Sequence, residues 1–121
     1  MSDNINTLFE YWNQALQSLD PKKVAALYAE DAILLPTLSN QVRHNRTEIE
    51  QYFVDFLAKA PKGELNESNV RILKDIAINS GIYTFSFNND DTVRARFTYV
   101  YKKYQENWLI IEHHSSLMPI S

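Results

Sequence analysis

Along the first half of the chain, apolar side chains recur every three or four positions. Ile5, Leu8, Phe9, Trp12, Ala15, Leu16 and Leu19 form one such stripe, which predicts an amphipathic helix with that face buried. Asp20-Pro21 restarts the chain: Asp20 suits the cap of a second helix and Pro21 its first position. Val24, Ala25, Leu27 and Tyr28 make the buried face of this shorter helix, which is expected to end near Asp31. The run AILL then reads as a short strand that Pro36 stops. A polar stretch from Thr37 to Arg46 leads to a third helix. Thr47 and Glu50 have capping-box spacing, Ile49, Tyr52, Phe53, Phe56, Leu57 and Ala60 line the apolar face, and Pro61-Lys62-Gly63 ends it.

After this point the hydrophobic period changes from about 3.6 to about 2. Val70 to Ile78, Ile82 to Phe87, Val93 to Lys103 and Trp108 to Ser116 read as strands. Asn79-Ser80-Gly81, Asn88 to Asp91 and Gln105 to Asn107 are the expected separators. Turns this short make neighbouring strands antiparallel. Helices followed by a strand meander predict a single α+β domain over residues 1–121. In the Val93 strand, Ala95, Phe97, Tyr99 and Tyr101 share one face, assigned to the interior. Arg94, Arg96, Thr98 and Val100 share the other.

The length of 121 residues allows one real core, and a hydrophobic fraction of 45% suits a globular protein. A net charge of −3 gives no reason to expect attraction to nucleic-acid phosphates. The absence of cysteine excludes disulfides, thiolate metal sites and thiol catalysis. The start MSDNINTLFEYW lacks a secretory pattern, and no apolar run is long enough for a membrane span, so a cytoplasmic protein is expected.

The segments DPKKVAALYAEDAILLPTLSNQVR, EIEQYFVDFL, AINSGIYTF, ARFTYVYKK and WLIIEHHSSLMP resemble the NTF2-like superfamily. Within it they resemble bacterial proteins similar to the association (hub) domain of calcium/calmodulin-dependent protein kinase II. The resemblance implies a cone: a curved, mostly antiparallel sheet wrapped around about three N-terminal helices. It also implies self-association without kinase activity. The kinase hub holds small carboxylates with pocket arginines; the matching positions here carry Tyr99 and Ser115, with a third near Tyr83. Arg43, Arg71 and Arg96 instead match the bacterial pattern.

The stretch WLIIEHHSS concentrates chemistry, but a strand deals adjacent side chains to opposite faces. Leu109, Ile111, His113 and Ser115 form one set, and Ile110, Glu112, His114 and Ser116 the other. Placing His113 and Ser115 inward, near Tyr99, gives a polar patch at the end of an apolar cavity. His113 has three readings. It is a structural residue bonded to Tyr99 or a backbone carbonyl, a ligand-binding residue, or a general acid or base paired with Glu112 or Asp75. Glu112 and His114 share a face, but only His44 remains as a further histidine, so no metal site is expected. Ser115 lacks the turn of a nucleophile elbow. With two glycines, Gly63 and Gly81, there is no nucleotide-binding loop, and no cofactor is expected.

The expected protein is a stand-alone homodimer that binds a small, mostly apolar metabolite in its cone. Tyr83, Tyr99, His113 and Ser115 form the polar end, Trp12, Tyr52 and Phe97 the walls, and Arg71 is a further candidate. Arg94, Arg96 and Thr98 belong to a solvated or dimer-forming outer face. Two alternatives stand beside this reading. One is an isomerase-, dehydratase- or cyclase-type enzyme on a small carbonyl or polyketide-like substrate. The other is a self-association module like the kinase hub. Neither nucleic acid nor membrane is an expected partner.

Overall fold

The computed structural model describes residues 5–119. Helix α1 (Ile5–Gln17) buries Ile5, Phe9, Trp12, Asn13 and Leu16 along the predicted stripe. Leu19 does not join them: it adopts a positive φ of 62° as the helix closes, and it is exposed. Helix α2 (Pro21–Ala25) starts as expected, with the Asp20 carboxylate accepting from the Lys22 amide at 2.9 Å. It is much shorter than the apolar pattern suggests. Strand β1 (Tyr28–Leu35) begins at Tyr28 because the chain is captured there by the last strand: the Ile110 amide donates to the Leu27 carbonyl at 2.9 Å, and Tyr28 pairs with Ile110. Arg46 donates to the Tyr28 carbonyl through Nε and Nη2, at 3.0 and 2.8 Å, tying the next helix to the irregular part of β1.

That helix, α3 (Arg46–Leu57), is capped by Asn45 rather than Thr47. Asn45 Oδ1 accepts from the Glu48 amide at 2.8 Å, and Glu48 reaches back to the His44 amide at 2.9 Å. The cap and its glutamate thus each stand two residues before the predicted Thr47 and Glu50, although Glu48 reaches the amide before the cap rather than that of the cap itself.

Four long strands follow: β2 (Lys62–Leu73), β3 (Ile76–Ser86), β4 (Thr92–Tyr104) and β5 (Asn107–Leu117). They form an antiparallel meander, and β1 adds to β5 in parallel, giving the order β1-β5-β4-β3-β2. The predicted strand from Val70 to Ile78 is in fact a hairpin that turns at Lys74-Asp75, with Lys74 at φ 59°. Conversely, Asn79-Ser80-Gly81 is no separator and lies in the middle of β3. The reason is a close approach across the sheet. A Cβ on Gly81 would stand 2.0 Å from the Glu67 carbonyl oxygen, next to the irregularity between Leu65 and Glu67. Glycine is needed for space here, not for a turn.

Ala95, Phe97, Tyr99 and Tyr101 face the interior as predicted, with Arg94 and Arg96 exposed. On β5 the alternation breaks. Tyr101 pairs with Ile110 and Val100 with Glu112, so Ile111 is an extra residue. The bulge brings Ile110, not Ile111, into the core with His113 and Ser115. Helix α1 is fastened to β2 by Asn13, whose amide donates to the Gly63 carbonyl at 2.9 Å and accepts from its N–H at 2.8 Å. No helix among the described residues is long and apolar enough to cross a membrane.

Gly81→Ala should lower stability by about 2 kcal/mol or more, since the clash is with backbone rather than a flexible side chain. The shift of the urea-unfolding midpoint measures it. A change within about 0.5 kcal/mol would show that β2 and β3 are not so tightly apposed.

Candidate functional site

A cone with this many aromatic residues on its inner face has little empty space. Trp12, Tyr83, Phe85, Phe97, Tyr99 and His113 pack ring against ring. What remains is a narrow cavity beside His113, with about 20 Å³ of room for a water-sized guest. That is enough for roughly one water molecule. Leu34, Phe53, Phe56 and Phe85 wall it, Thr37 and Leu38 stand in the loop after β1, and Tyr83, His113 and Ser115 supply polar atoms.

Those polar atoms are joined in one chain. Trp12 Nε1 lies 3.1 Å from the Tyr28 hydroxyl, which lies 2.9 Å from His113 Nδ1. His113 Nε2 lies 3.1 Å from the Tyr83 hydroxyl, which donates to Ser115 Oγ at 2.6 Å. Ser115 in turn contacts the Thr37 hydroxyl. The indole N–H only donates, so Tyr28 accepts it and turns its own proton to Nδ1. The neutral imidazole then carries its proton on Nε2 and donates to Tyr83. The donors thus run in one direction, from the core at Trp12 to Ser115 at the cavity.

Burial sets the charge state of this chain. Desolvation, then the neighbouring His114, pushes the His113 pKa down to about 3. Burial also raises the Tyr28, Tyr83 and Tyr99 hydroxyls. All members are neutral near pH 7, so the site offers oriented hydrogen bonds and no charge. Tyr52, at the cavity wall, is raised to about 12 by burial, partly countered by Arg43. The Arg43 guanidinium lies 5.1 Å from the Tyr52 ring centroid and donates to Ser39.

Of the residues expected from sequence, Trp12, Tyr52, Tyr83, His113 and Ser115 line the cavity. Tyr99 does not supply its hydroxyl to the polar end. Its ring stacks on His113 with centroids 4.0 Å apart, and its buried hydroxyl has no hydrogen-bond partner among the described residues. Phe97 packs behind Tyr83, 4.6 Å away between ring centroids. Arg71 is exposed on β2, opposite Ile78, and does not line the cavity. Glu112 and His114 are exposed on β5, and Asp75 is exposed in the β2–β3 turn. His44 pairs with Glu48, and no group of three or more metal-ligating side chains occurs among the described residues. Tyr28 and Thr37 were missed. AILL was expected as a strand, but Tyr28 was assigned to the second helix, and the adjacent burial of Tyr28 and Ala29 before the exposed Glu30 and Asp31 gives no alternation to mark it.

Solved structures place this architecture among NTF2-like, cystatin-like folds. An NTF2-like protein of unknown function from Pseudomonas putida superposes with a TM-score of 0.83 at 20% identity, over 97% of this chain and 85% of that one. A protein of Streptomyces avermitilis, described as a dehydratase of the NTF2-like family, gives 0.82 at 14%, over 96% and 94%. These establish the fold alone. A protein of Xanthomonas campestris described as a calcium/calmodulin dependent protein kinase II association domain is much more similar: 50% identity, a TM-score of 0.93, and coverage of 97% of this chain and 87% of that one. The model of that family matches residues 1–119. The chain therefore belongs to the calcium/calmodulin dependent protein kinase II association domain family. Among curated proteins, none matches it.

The pH dependence of stability follows from His113. Its folded pKa of about 3 lies below the ordinary value of 6.5. Between these values the unfolded chain binds the extra proton. Stability therefore falls as pH drops from 6.5 toward 3, by at most about 1.4 kcal/mol per pH unit from this group. His113→Gln should flatten that part of the profile relative to the parent protein, measured by urea unfolding at stepped pH. Parallel profiles would mean His113 is not held neutral.

Proposed function

We propose that the protein binds a small, mostly apolar molecule at the His113 cavity and works as a homodimer. The observation that carries the binding reading is the directed hydrogen-bond chain, which ends on Ser115 and Thr37 in a cavity otherwise walled by hydrocarbon. Folds place few polar groups in such a wall, and those few orient a ligand. As it stands the cavity has room for a guest of roughly one water's size. A larger one enters by displacing Leu38, which is 42% exposed on the loop at its mouth.

Binding is favoured over proton transfer. Both nitrogens of His113 already hold tyrosine hydroxyls, and burial keeps the ring neutral through the physiological range. A general base needs a free lone pair and a pKa near the working pH. Fold likeness to a protein described as a dehydratase does not supply these groups.

Self-association is supported by family membership and by the outer sheet face. Ile33, Ile78, Ile82, Val100 and Ile111 are only half-buried there, beside Arg96 and Thr98. A flat apolar centre rimmed by polar groups suits a twofold contact.

A thermal-shift screen of small metabolites tests the binding site. At least one class of mostly apolar compound should raise the Tm, and Ser115→Ala should remove most of that rise. An unchanged Tm across the panel, or shifts insensitive to Ser115, would defeat the reading. For the dimer, sedimentation should give twice the 14.1 kDa chain mass, and Ile78→Arg should give a monomer. A monomeric parent protein would overturn it.

A further inference from the structure

The two ends of the sheet differ. At one, β1 is met on its outer side by the loop before α3, where Leu34 exchanges both backbone hydrogen bonds with Arg43 at 2.9 Å. At the other, β2 has β3 on one side only, and among the described residues no backbone group bonds to its free side. An irregularity between Leu65 and Glu67 bends β2, but from Glu67 to Leu73 it pairs with Ile82 to Ile76 without a break. A regular run of unpaired N–H and C=O groups is a template for another strand. Its side chains are exposed apart from half-buried Ser68, and Val70, Ile72 and Leu73 among them are 38, 45 and 60% exposed.

Proteins guard such an edge with a bulge, a proline or charges. Here the bulge leaves the run beyond it regular, and β2 contains no proline. The charges on the run are Glu67 and Arg71, opposite in sign and four positions apart. Both lie on the outer face, across from Ile82 and Ile78 of β3. The Glu67 carboxylate accepts from the Asn69 side chain at 3.0 Å, and neither charge joins an ion pair among the described residues.

Two such runs, paired antiparallel about a twofold axis at Asn69, set Glu67 of each copy opposite Arg71 of the other. An axis at Ser68 or Val70 leaves both charges opposite neutral residues. An axis at Glu67 or Arg71 sets like charges face to face. Opposite charges directly across a strand pair stabilise it and like charges oppose it, so the run selects its own register.

We propose that β2 is an interaction edge for a second copy of the chain, joined by antiparallel strand pairing about Asn69. The contact gives a role to Arg71, which does not line the His113 cavity. It is separate from the outer-face dimer and does not rest on it. One strand pair is a smaller contact than a sheet face, so it forms at higher protein concentration, and where both contacts form, assembly passes two copies.

The chain has no cysteine, so one introduced thiol reports this geometry. Residues directly opposite in an antiparallel pair have Cα atoms about 4.5–5.5 Å apart, within disulfide reach. Asn69→Cys, at high protein concentration under mild oxidation, should therefore give a covalent dimer on a denaturing gel. Ile72→Cys lies on the same exposed run, but its two copies would stand about 20 Å apart, and it should cross-link at least about tenfold more slowly. Adding Glu67→Arg to Asn69→Cys sets like charges opposite each other and should slow cross-linking about tenfold. Adding Arg71→Glu as well restores opposite charges and should restore the rate. All these positions are exposed, so the changes leave the core intact. The proposal is overturned by no cross-link at position 69, by equal rates at 69 and 72, or by a rate that the first reversal does not slow or the second does not restore.

Discussion

An imidazole buried to 3% exposure in a core of aromatic rings is the constraint around which this molecule is arranged. Both ring nitrogens need partners, because an unmet polar group costs far more inside than in water. The partners come from separate elements. Tyr28 belongs to β1, Tyr83 to β3, and Tyr28 is itself held by Trp12 of α1. Satisfying one residue of β5 thus fixes a helix and two other strands around it. The same requirement fills the cone, since the tyrosines that reach the imidazole bring their rings with them. The small cavity and the histidine's lack of charge have one origin.

The sheet makes this convergence possible. β5 lies between β1 and β4, and its bulge at Ile111 turns Ile110 inward while keeping His113 and Ser115 inward as well. Without the extra residue, one of these two sets would face out. Arg46 closes the arrangement from the other side by taking up the Tyr28 carbonyl where β1 departs from its regular ladder.

Much of this could be read from the chain before any coordinates. The α1 stripe, the inward row on β4 and the opposite fates of His113 and His114 all follow from periodicity, and the structure agrees. The errors have local causes. Val70, Ile72, Ile76 and Ile78 keep one apolar phase on both sides of the turn, and Lys74, the single break in it, takes a left-handed conformation with no glycine or asparagine to announce it. Asn79-Ser80-Gly81 has the composition of a turn, but Gly81 is there because Glu67 comes close. Tyr28 was hidden because its strand is created by a parallel partner near the far end of the sequence. Short-range pattern carries no trace of that pairing. The partners of His113 and the true walls of the cavity were therefore out of reach, although the inward direction of His113 was not.

The distance of that partner has a consequence during biosynthesis. Tyr28 and His113 are 85 positions apart, so at typical elongation rates β1 waits on the order of ten seconds for β5 to be made. Through that interval Ala32 and Leu34 have no sheet to cover them, and β1 has an open edge. α1 is in a similar position until Gly63 arrives to meet Asn13. The nascent chain is where this topology is vulnerable to mispairing and to capture by other strands.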